Sequence, residues 1–240
     1  MHVINNKNTW ILTTNNDFQD IDEQWFTQAY WMNQGRLLGA NSGRGSAWVI
    51  KSEWGKWVLR HYFRGGLYAK LSKDSYFWTS LKNTRAYKEF QLLQKIHQLQ
   101  LPSAKPIAAL IRKSGLYYHN DLIMSHIKHQ QTFADLLMAN NQPIKTWQLI
   151  GKTIAQFHHH GIYHSDLNAH NILLAKPTDE HPVYLIDFDK GAIKNIKKTW
   201  RQENLNRLRR SIEKISERSC DSEFSIQWDG LLSSYQEHFS

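Results

Sequence analysis

Residues 161–189 read GIYHSDLNAHNILLAKPTDEHPVYLIDFD, and the fold turns on how two apolar runs within them are placed. Ile172-Leu173-Leu174 and Val183-Tyr184-Leu185-Ile186 are separated by a segment carrying Pro177, Asp179 and Pro182. Short apolar runs bounded by turn residues read as buried strands, and a connection this short pairs them as a hairpin. Folding the hairpin about its middle brings Asn171, at the start of one strand, near Asp187, at the end of the other. Asp166 lies five residues before Asn171, in a loop anchored by the same ribbon. Two carboxylates and an amide therefore converge at one end of a buried ribbon, the geometry of a metal and phosphate site.

The residue types suit that chemistry. Phosphoryl transfer from a nucleotide uses Mg2+ held by hard oxygens, and one carboxylate with one amide oxygen leaves positions for phosphate and water. A carboxylate not committed to the metal orients the attacking hydroxyl and accepts its proton. His164-Ser165-Asp166-Leu167-Asn168-Ala169-His170-Asn171, followed by Asp187-Phe188-Asp189, resembles the catalytic loop and metal loop of the protein-kinase-like superfamily. Either half alone occurs by chance; in order, each joined to an apolar strand, they are specific. The resemblance places the catalytic Asp at Asp166 and the metal-binding residues at Asn171 and Asp187. It implies ATP and Mg2+ as cofactors. It also implies an α+β, two-lobed protein-kinase-like fold: a small antiparallel-sheet N-lobe (residues 1–124) and a mostly helical C-lobe (125–240), with the triphosphate in a cleft between them.

Ahead of that stretch, residues 1–16 are polar and Asn-rich and read as an extended or loosely ordered lead-in. Ile21, Trp25, Ala29 and Met32 recur at helical spacing up to Gly35, with Asp22 and Glu23 in the first turn. Arg36–Leu38, Ser46–Ile50 and Lys56–Phe63 read as strands of a small antiparallel sheet. The Gly39–Ala47 turn between the first two is loose as a motif; Gly43 and Gly45 would let backbone N–H groups approach phosphate. In the superfamily the third strand carries a phosphate-binding lysine. The matching position here is Arg60, with Lys51 on the preceding strand as the other cation. Thr84 opens a helix containing Glu89, and the resemblance pairs Glu89 with Arg60. Asp121–Ile127 looks like the strand and hinge between lobes, where the backbone of Ser125 and Ile127 would meet adenine. Helices are expected from Thr132 and over Ile144–His160. His158-His159-His160 is not a metal site, because adjacent helix positions point in different directions.

After Asp189 the chain is informative by what it lacks. No A-P-E motif appears, and Ser165 stands where regulated protein kinases place an Arg before the catalytic Asp. A peptide-docking platform and a phosphorylation switch are not expected, so the acceptor is not a protein. A helix is expected over Gln202–Arg218, and ten Lys or Arg against three Glu lie between Lys190 and Arg218. With a net charge of +9 overall, this basic stretch points to an anionic partner such as a membrane surface. The ten Trp and ten Tyr suit a core, a membrane interface or sugar stacking, and composition does not separate these. The single cysteine, Cys220, excludes an intrachain disulfide. No signal-peptide pattern and no membrane-spanning run is seen, so a soluble or peripheral protein is expected.

Trp200–Ser211, with the YHSDLNAHNILL, LIDFDKG and WVLRHYFRGG segments, closely resembles the bacterial 3-deoxy-D-manno-octulosonic acid (Kdo) kinases among the lipopolysaccharide core kinases. The likeness covers roughly residues 30–215. It implies transfer of the ATP γ-phosphate to the 4-hydroxyl of a Kdo residue on lipid A precursor, by a peripheral enzyme at the cytoplasmic face of the inner membrane. Heptose, other small-molecule sugar or aminoglycoside-type kinases share the H-x-D-x-x-x-x-N loop; those for cationic substrates carry an acidic acceptor pocket, which the basic C-terminal stretch disfavours. A nucleotide-binding pseudokinase is disfavoured by the intact Asp166, Asn171 and Asp187. A nucleic-acid binder is disfavoured by the absence of any such module.

Overall fold

The computed structural model describes the chain apart from residues 15–17, 19, 41–46, 64–73, 140–142, 177, 217–221 and 240. It divides into two compact units, 1–94 with 104–127 and 95–103 with 128–240. The division falls three residues later than the expected 124/125 boundary. Strand β8 (Tyr117–Ser125) still pairs with β5 (Gly55–His61) at Trp57↔Ser125, which keeps its end in the first unit. Residues 95–103 join the second unit, where the Pro102 carbonyl accepts from Leu185 N–H at 3.0 Å.

The first unit is an antiparallel sheet ordered β1-β2-β7-β8-β5-β4-β3, with β6 (Tyr76–Phe77) paired to β8. Its first two strands make the lead-in, expected as extended or loosely ordered, a paired hairpin. His2–Asn6 (β1) and Thr9–Thr13 (β2) form a hairpin, and β2 pairs with β7 (Pro106–Ser114). β2 buries Ile11 and Leu12, whereas β1 is exposed throughout, so its Asn-rich sequence has no apolar alternation to announce a strand.

The helix expected up to Gly35 is also broken. Thr27 is extended (φ −113°, ψ 137°), splitting it into a 3-10 turn, Glu23–Phe26, and α1, Gln28–Asn33. Thr27 Oγ1 accepts from Tyr30 N–H and so caps α1, a side-chain bond that competes with continuing the helix. The buried residues become Ile21, Phe26 and Trp31, while Ala29 and Met32 face solvent.

Strands β3 (Leu37–Ala40), β4 (Ala47–Ser52) and β5 pair in succession. Trp31, Ile50, Trp57, Leu59, Leu110 and Ile123 pack into the core. Among the ten tryptophans only Trp54 is classed as exposed, so the indoles serve mainly as core. Helix α2 (Arg85–Gln98) follows Thr84 and buries Phe90, Leu93 and Ile96.

In the second unit a capping box between Thr132 and Asp135 starts α3 (Phe133–Met138). Helix α4 (Ile144–His159) buries Trp147, Ile150, Ile154, Phe157 and His158, as its spacing predicts. The hairpin is formed as read: β11 (Ile172–Leu174) and β12 (Val183–Leu185) pair Ile172↔Leu185 and Leu174↔Val183. β9 (Gln131–Thr132) adds to β11, and β10 (Ile162–Tyr163) pairs with β13 (Ala192–Ile193). Helix α5 (Lys198–Ser216) begins a turn before the expected Gln202, with Trp200 buried in its first turn. Helix α6 (Ser222–Phe239) crosses α4 closely: a Cβ at Gly151 would lie 2.2 Å from the Leu231 carbonyl oxygen.

Candidate active site

The second unit holds the hairpin end. Asn171 O accepts from Ile186 N–H at 3.0 Å, so Asn171 and the residue preceding Asp187 are hydrogen-bonded neighbours across the ribbon. Asp166 lies alongside, because Asn171 Nδ2 and Asn168 Nδ2 each donate to its main-chain carbonyl at 3.0 Å. The structure thus brings Asp166, Asn171 and Asp187 to one locality. Asp187 sits in the left-handed region (φ 62°), which Asp tolerates better than most side chains, and it is exposed.

His164 is the brace between the two motif segments. Its Nδ1 accepts from Asp166 N–H (3.1 Å) and its Nε2 lies 2.9 Å from Ile186 O. That pattern requires the neutral Nε2–H tautomer, with Nε2 donating. Burial lowers the His164 pKa, so the ring keeps that form near neutral pH. His164 also packs on Phe188, which stacks on Phe157. Ser165 Oγ donates to Asp189 O at 2.5 Å, tying the loop to the chain just after Asp187.

Behind the loop lies α5. Asn204, buried, accepts from His164 N–H (3.2 Å) through Oδ1 and donates to His164 O (2.9 Å) through Nδ2. Its Oδ1 also faces His158 Nε2 at 3.3 Å, and His158 Nδ1 lies 3.0 Å from the Tyr235 hydroxyl. Burial drives the His158 pKa down to about 3, so this ring is a neutral structural bridge.

Asp166 is also held from α5, by a residue the sequence reading did not single out. Arg207 donates to Asp166 Oδ1 through both Nε (2.9 Å) and Nη2 (2.5 Å). The signal that could have found it is helical spacing: Asn204, Arg207 and Ser211 share one stripe of α5.

The basic stretch read as facing an anionic partner is partly tied down. Lys194 lies over the Tyr163 ring, Arg201 contacts the Tyr235 hydroxyl and the Phe239 ring, and Arg209 pairs with Glu213. Lys190, Lys197, Lys198, Arg210 and Lys214 are exposed.

In the first unit Arg60 Nη2 donates to Glu89 Oε2 at 2.5 Å, with side-chain exposures of 16% and 1%. The expected pairing is present, and Lys51 is exposed on β4 opposite Lys56. Tyr62 OH donates to the same Glu89 oxygen at 2.6 Å, and the guanidinium lies 4.5 Å from the Tyr62 ring centre. Burial, then the Glu89 charge, pushes the Tyr62 phenol well above its usual pKa, so it remains a donor. Ser125 has its N–H donating to Lys105 O and its hydroxyl accepting from Lys105 N–H, both at 2.8 Å. Ile127 is the last residue of this unit. Gly43 and Gly45 lie outside the described residues.

The donor set fits a hard divalent cation. Asn171 gives its Nδ2 to a carbonyl, which turns Oδ1 to the other side of the amide as a neutral oxygen ligand, and Asp187 adds a carboxylate. His158, His159 and His160 form no metal cluster with other His, Cys, Asp or Glu among the described residues.

Residues 28–235 match the family described as "Lipopolysaccharide kinase (Kdo/WaaP) family". The chain is 40% identical over 222 residues to the 3-deoxy-D-manno-octulosonic acid kinase of Haemophilus influenzae (strain 86-028NP), covering 89% of this chain and 90% of that one. To the protein of the same name from Mannheimia succiniciproducens it is 38% identical over 239 residues, covering 97% and 98%. In fold it is similar to the solved structure "WaaP in complex with acyl carrier protein", at TM-score 0.60 and 14% identity, covering 95% of this chain and 88% of that one. With this match over most of its length and an antiparallel-sheet unit followed by a helical one, the chain is a protein-kinase-like α+β protein and belongs to the lipopolysaccharide kinase (Kdo/WaaP) family.

Proposed function

We propose that this chain transfers the γ-phosphate of ATP to the 4-hydroxyl of a Kdo residue on a lipid A precursor, as a peripheral enzyme at the cytoplasmic face of the inner membrane. One observation carries this: the family match spans the hairpin end where Asp166, Asn171 and Asp187 gather.

Each residue then has a task. Asp166 aligns the sugar hydroxyl and receives its proton. Asn171 and Asp187 would hold Mg2+, which when bound supplies positive charge against the phosphate oxygens. Arg60, steadied by Glu89, binds triphosphate oxygens, and the backbone N–H groups of Gly43 and Gly45 would do the same. The backbone at Ser125 and Ile127 meets adenine. Exposed Lys190, Lys197, Lys198, Arg210 and Lys214 favour an anionic lipid surface, each worth on the order of 1 kcal/mol. Among the described residues no helix is long and apolar enough to cross a membrane.

The test is incubation with labelled ATP and a Kdo-bearing lipid A precursor, beside the same lipid lacking Kdo, with the phosphorylated position mapped on the product. Label should enter only the Kdo-bearing lipid, at its 4-hydroxyl. Label in the Kdo-free lipid would overturn the acceptor, and label at another hydroxyl would overturn the position. Salt-dependent release from anionic vesicles tests the surface, since binding indifferent to salt contradicts an electrostatic contact.

A further inference from the structure

The contact between Arg207 and Asp166 is not an ordinary surface ion pair. Both guanidinium bonds converge on one carboxylate oxygen, Oδ1, and Oδ2 accepts no hydrogen bond from a described residue. An arginine engaging a carboxylate for affinity alone would present two parallel N–H groups to two oxygens. Here one oxygen is held and the other is left open.

The main chain of Asp166 is fixed as closely as its side chain. Its N–H is given to His164, and its carbonyl receives two amide donors, Asn168 and Asn171. The helix bearing Arg207 is anchored to the same loop on either side. One turn before, Asn204 makes two bonds to the main chain of His164; one turn after, Ser211 Oγ accepts from Ala169 N–H at 3.2 Å. Residues 204, 207 and 211 fall on one face of a helix, so a single stripe of α5 meets His164, Asp166 and Ala169 in order. Buried Leu205, Leu208 and Ile212 hold that stripe in register.

Stability does not account for the pair. Arg207 and Asp166 side chains are 48% and 49% exposed, a setting in which ion pairs add little to folding. What the contact does fix is the rotamer of Asp166.

We propose that Arg207 is a positioning residue of the phosphotransfer reaction, holding Asp166 by Oδ1 so that Oδ2 faces the acceptor hydroxyl. This rests on the reading of Asp166 as the base. In the step so arranged, the acceptor oxygen forms a bond to the γ-phosphorus. The bond from that phosphorus to the bridging oxygen breaks with its electron pair left on ADP, and the hydroxyl proton passes to Oδ2. Misplacing a reacting group by about 1 Å can reduce rate by on the order of a hundredfold, which sets the scale for losing such a tether.

The test is steady-state kinetics of the full chain with ATP and a Kdo-bearing lipid A precursor, on Arg207→Ala, Arg207→Lys, Asp166→Ala and the Asp166→Ala/Arg207→Ala double variant. Arg207→Ala should lower kcat by roughly 10- to 100-fold with the KM for ATP little changed. Arg207→Lys should recover part of that, since an ammonium keeps the charge but not the paired N–H groups. The double variant should be no slower than Asp166→Ala, because Arg207 acts only through Asp166. A double variant slower by the product of the single losses would overturn the proposal, as would Arg207→Ala raising only the KM for the lipid. An Arg207→Ala melting point far below wild type, with the rate of Arg207→Lys returning only in step with its melt, would make the contact structural and also overturn it. If Asp166→Ala turns over normally, the base assignment falls and the positioning role with it; if Asp166→Ala is slow while Arg207→Ala is normal, only the positioning role falls.

Discussion

Each unit contributes one Arg–carboxylate pair to the proposed machinery, and the two are built oppositely. In the first unit Arg60 and Glu89 are 16% and 1% exposed and share a buried tyrosine hydroxyl. In the second, Arg207 and Asp166 are each about half exposed. A buried pair is committed: removing one partner leaves a charge without water, so the geometry does not rearrange. An exposed pair is cheap to open, which suits a carboxylate that must meet a hydroxyl and take up a proton. The contrast is between a buried clamp, proposed for phosphate, and a solvent-facing hold on the carboxylate proposed as the base.

The largest expected effect breaks the adjustable side. Asp166→Ala should lower kcat by roughly 10²- to 10⁴-fold, the range for a positioned base, while the thermal midpoint stays within a few degrees of wild type. A large loss of stability would mean that the exposed pair is structural after all. Next, Arg60→Ala should lower unfolding stability by about 3–5 kcal/mol, since Glu89 is left buried, and urea denaturation reads this directly. A loss below about 1 kcal/mol would erase the distinction between the pairs.

A smaller pair of effects separates the units by pH. In the second unit His158 is neutral with its pKa lowered to about 3 by burial. The unfolded chain binds the proton near pH 6.5 and the folded one does not, so stability is full above pH 6.5. It should fall by up to about 1.4 kcal/mol per pH unit as pH drops from there toward 3. In the first unit burial opposes protonation of His61, yet its bonds to Asp121 (2.6 Å) and Asp74 (3.1 Å) outweigh it and raise the pKa. That contribution is full below pH 6.5 and should be lost as pH rises through the raised value. Hydrogen exchange, resolved by segment, should show protection shifting in opposite directions: β5 and β8 weakening above pH 6.5, α4 and α6 weakening below it. Parallel shifts in both units would contradict these assignments. Tyr62→Phe is expected to cost about 1.5–3 kcal/mol at most, less than Arg60→Ala, by removing one bond to a charged oxygen while Arg60 keeps Glu89 satisfied.

Gly161 offers an independent check on the second unit. Its φ of +69° is in the left-handed region, and an added Cβ would meet the Lys194 carbonyl oxygen at 2.4 Å. Gly161→Ala should lower stability by about 1–3 kcal/mol in thermal or urea unfolding, because the obstacle is backbone and β10 cannot move away from β13 freely.

Much of this was legible in the chain. The β11–β12 hairpin, the convergence of Asn171 with Asp187 and helices α2 and α4 follow from short-range periodicity and from motif order, because strand pairing across a short loop and helical spacing are local; the Arg60–Glu89 pair, 29 positions apart, was legible only through the family resemblance. Cases where the environment, not the local pattern, chose the structure were missed. Strand β1 has no buried face and is a strand only because β2 offers it an edge. The break at Thr27 is a contest between a helix hydrogen bond and a side-chain cap, and the burial of Phe26 and Trp31 against the sheet sits with the cap. The Tyr62 bond to Glu89 and the Arg207 hold on Asp166 join residues 27 and 41 positions apart; helical spacing aligns Arg207 with Asn204 and Ser211, but nothing local names Asp166 as its partner. Local chemistry named Asp166 as the candidate base; the packing of α5 against its loop decided which of its oxygens is left open.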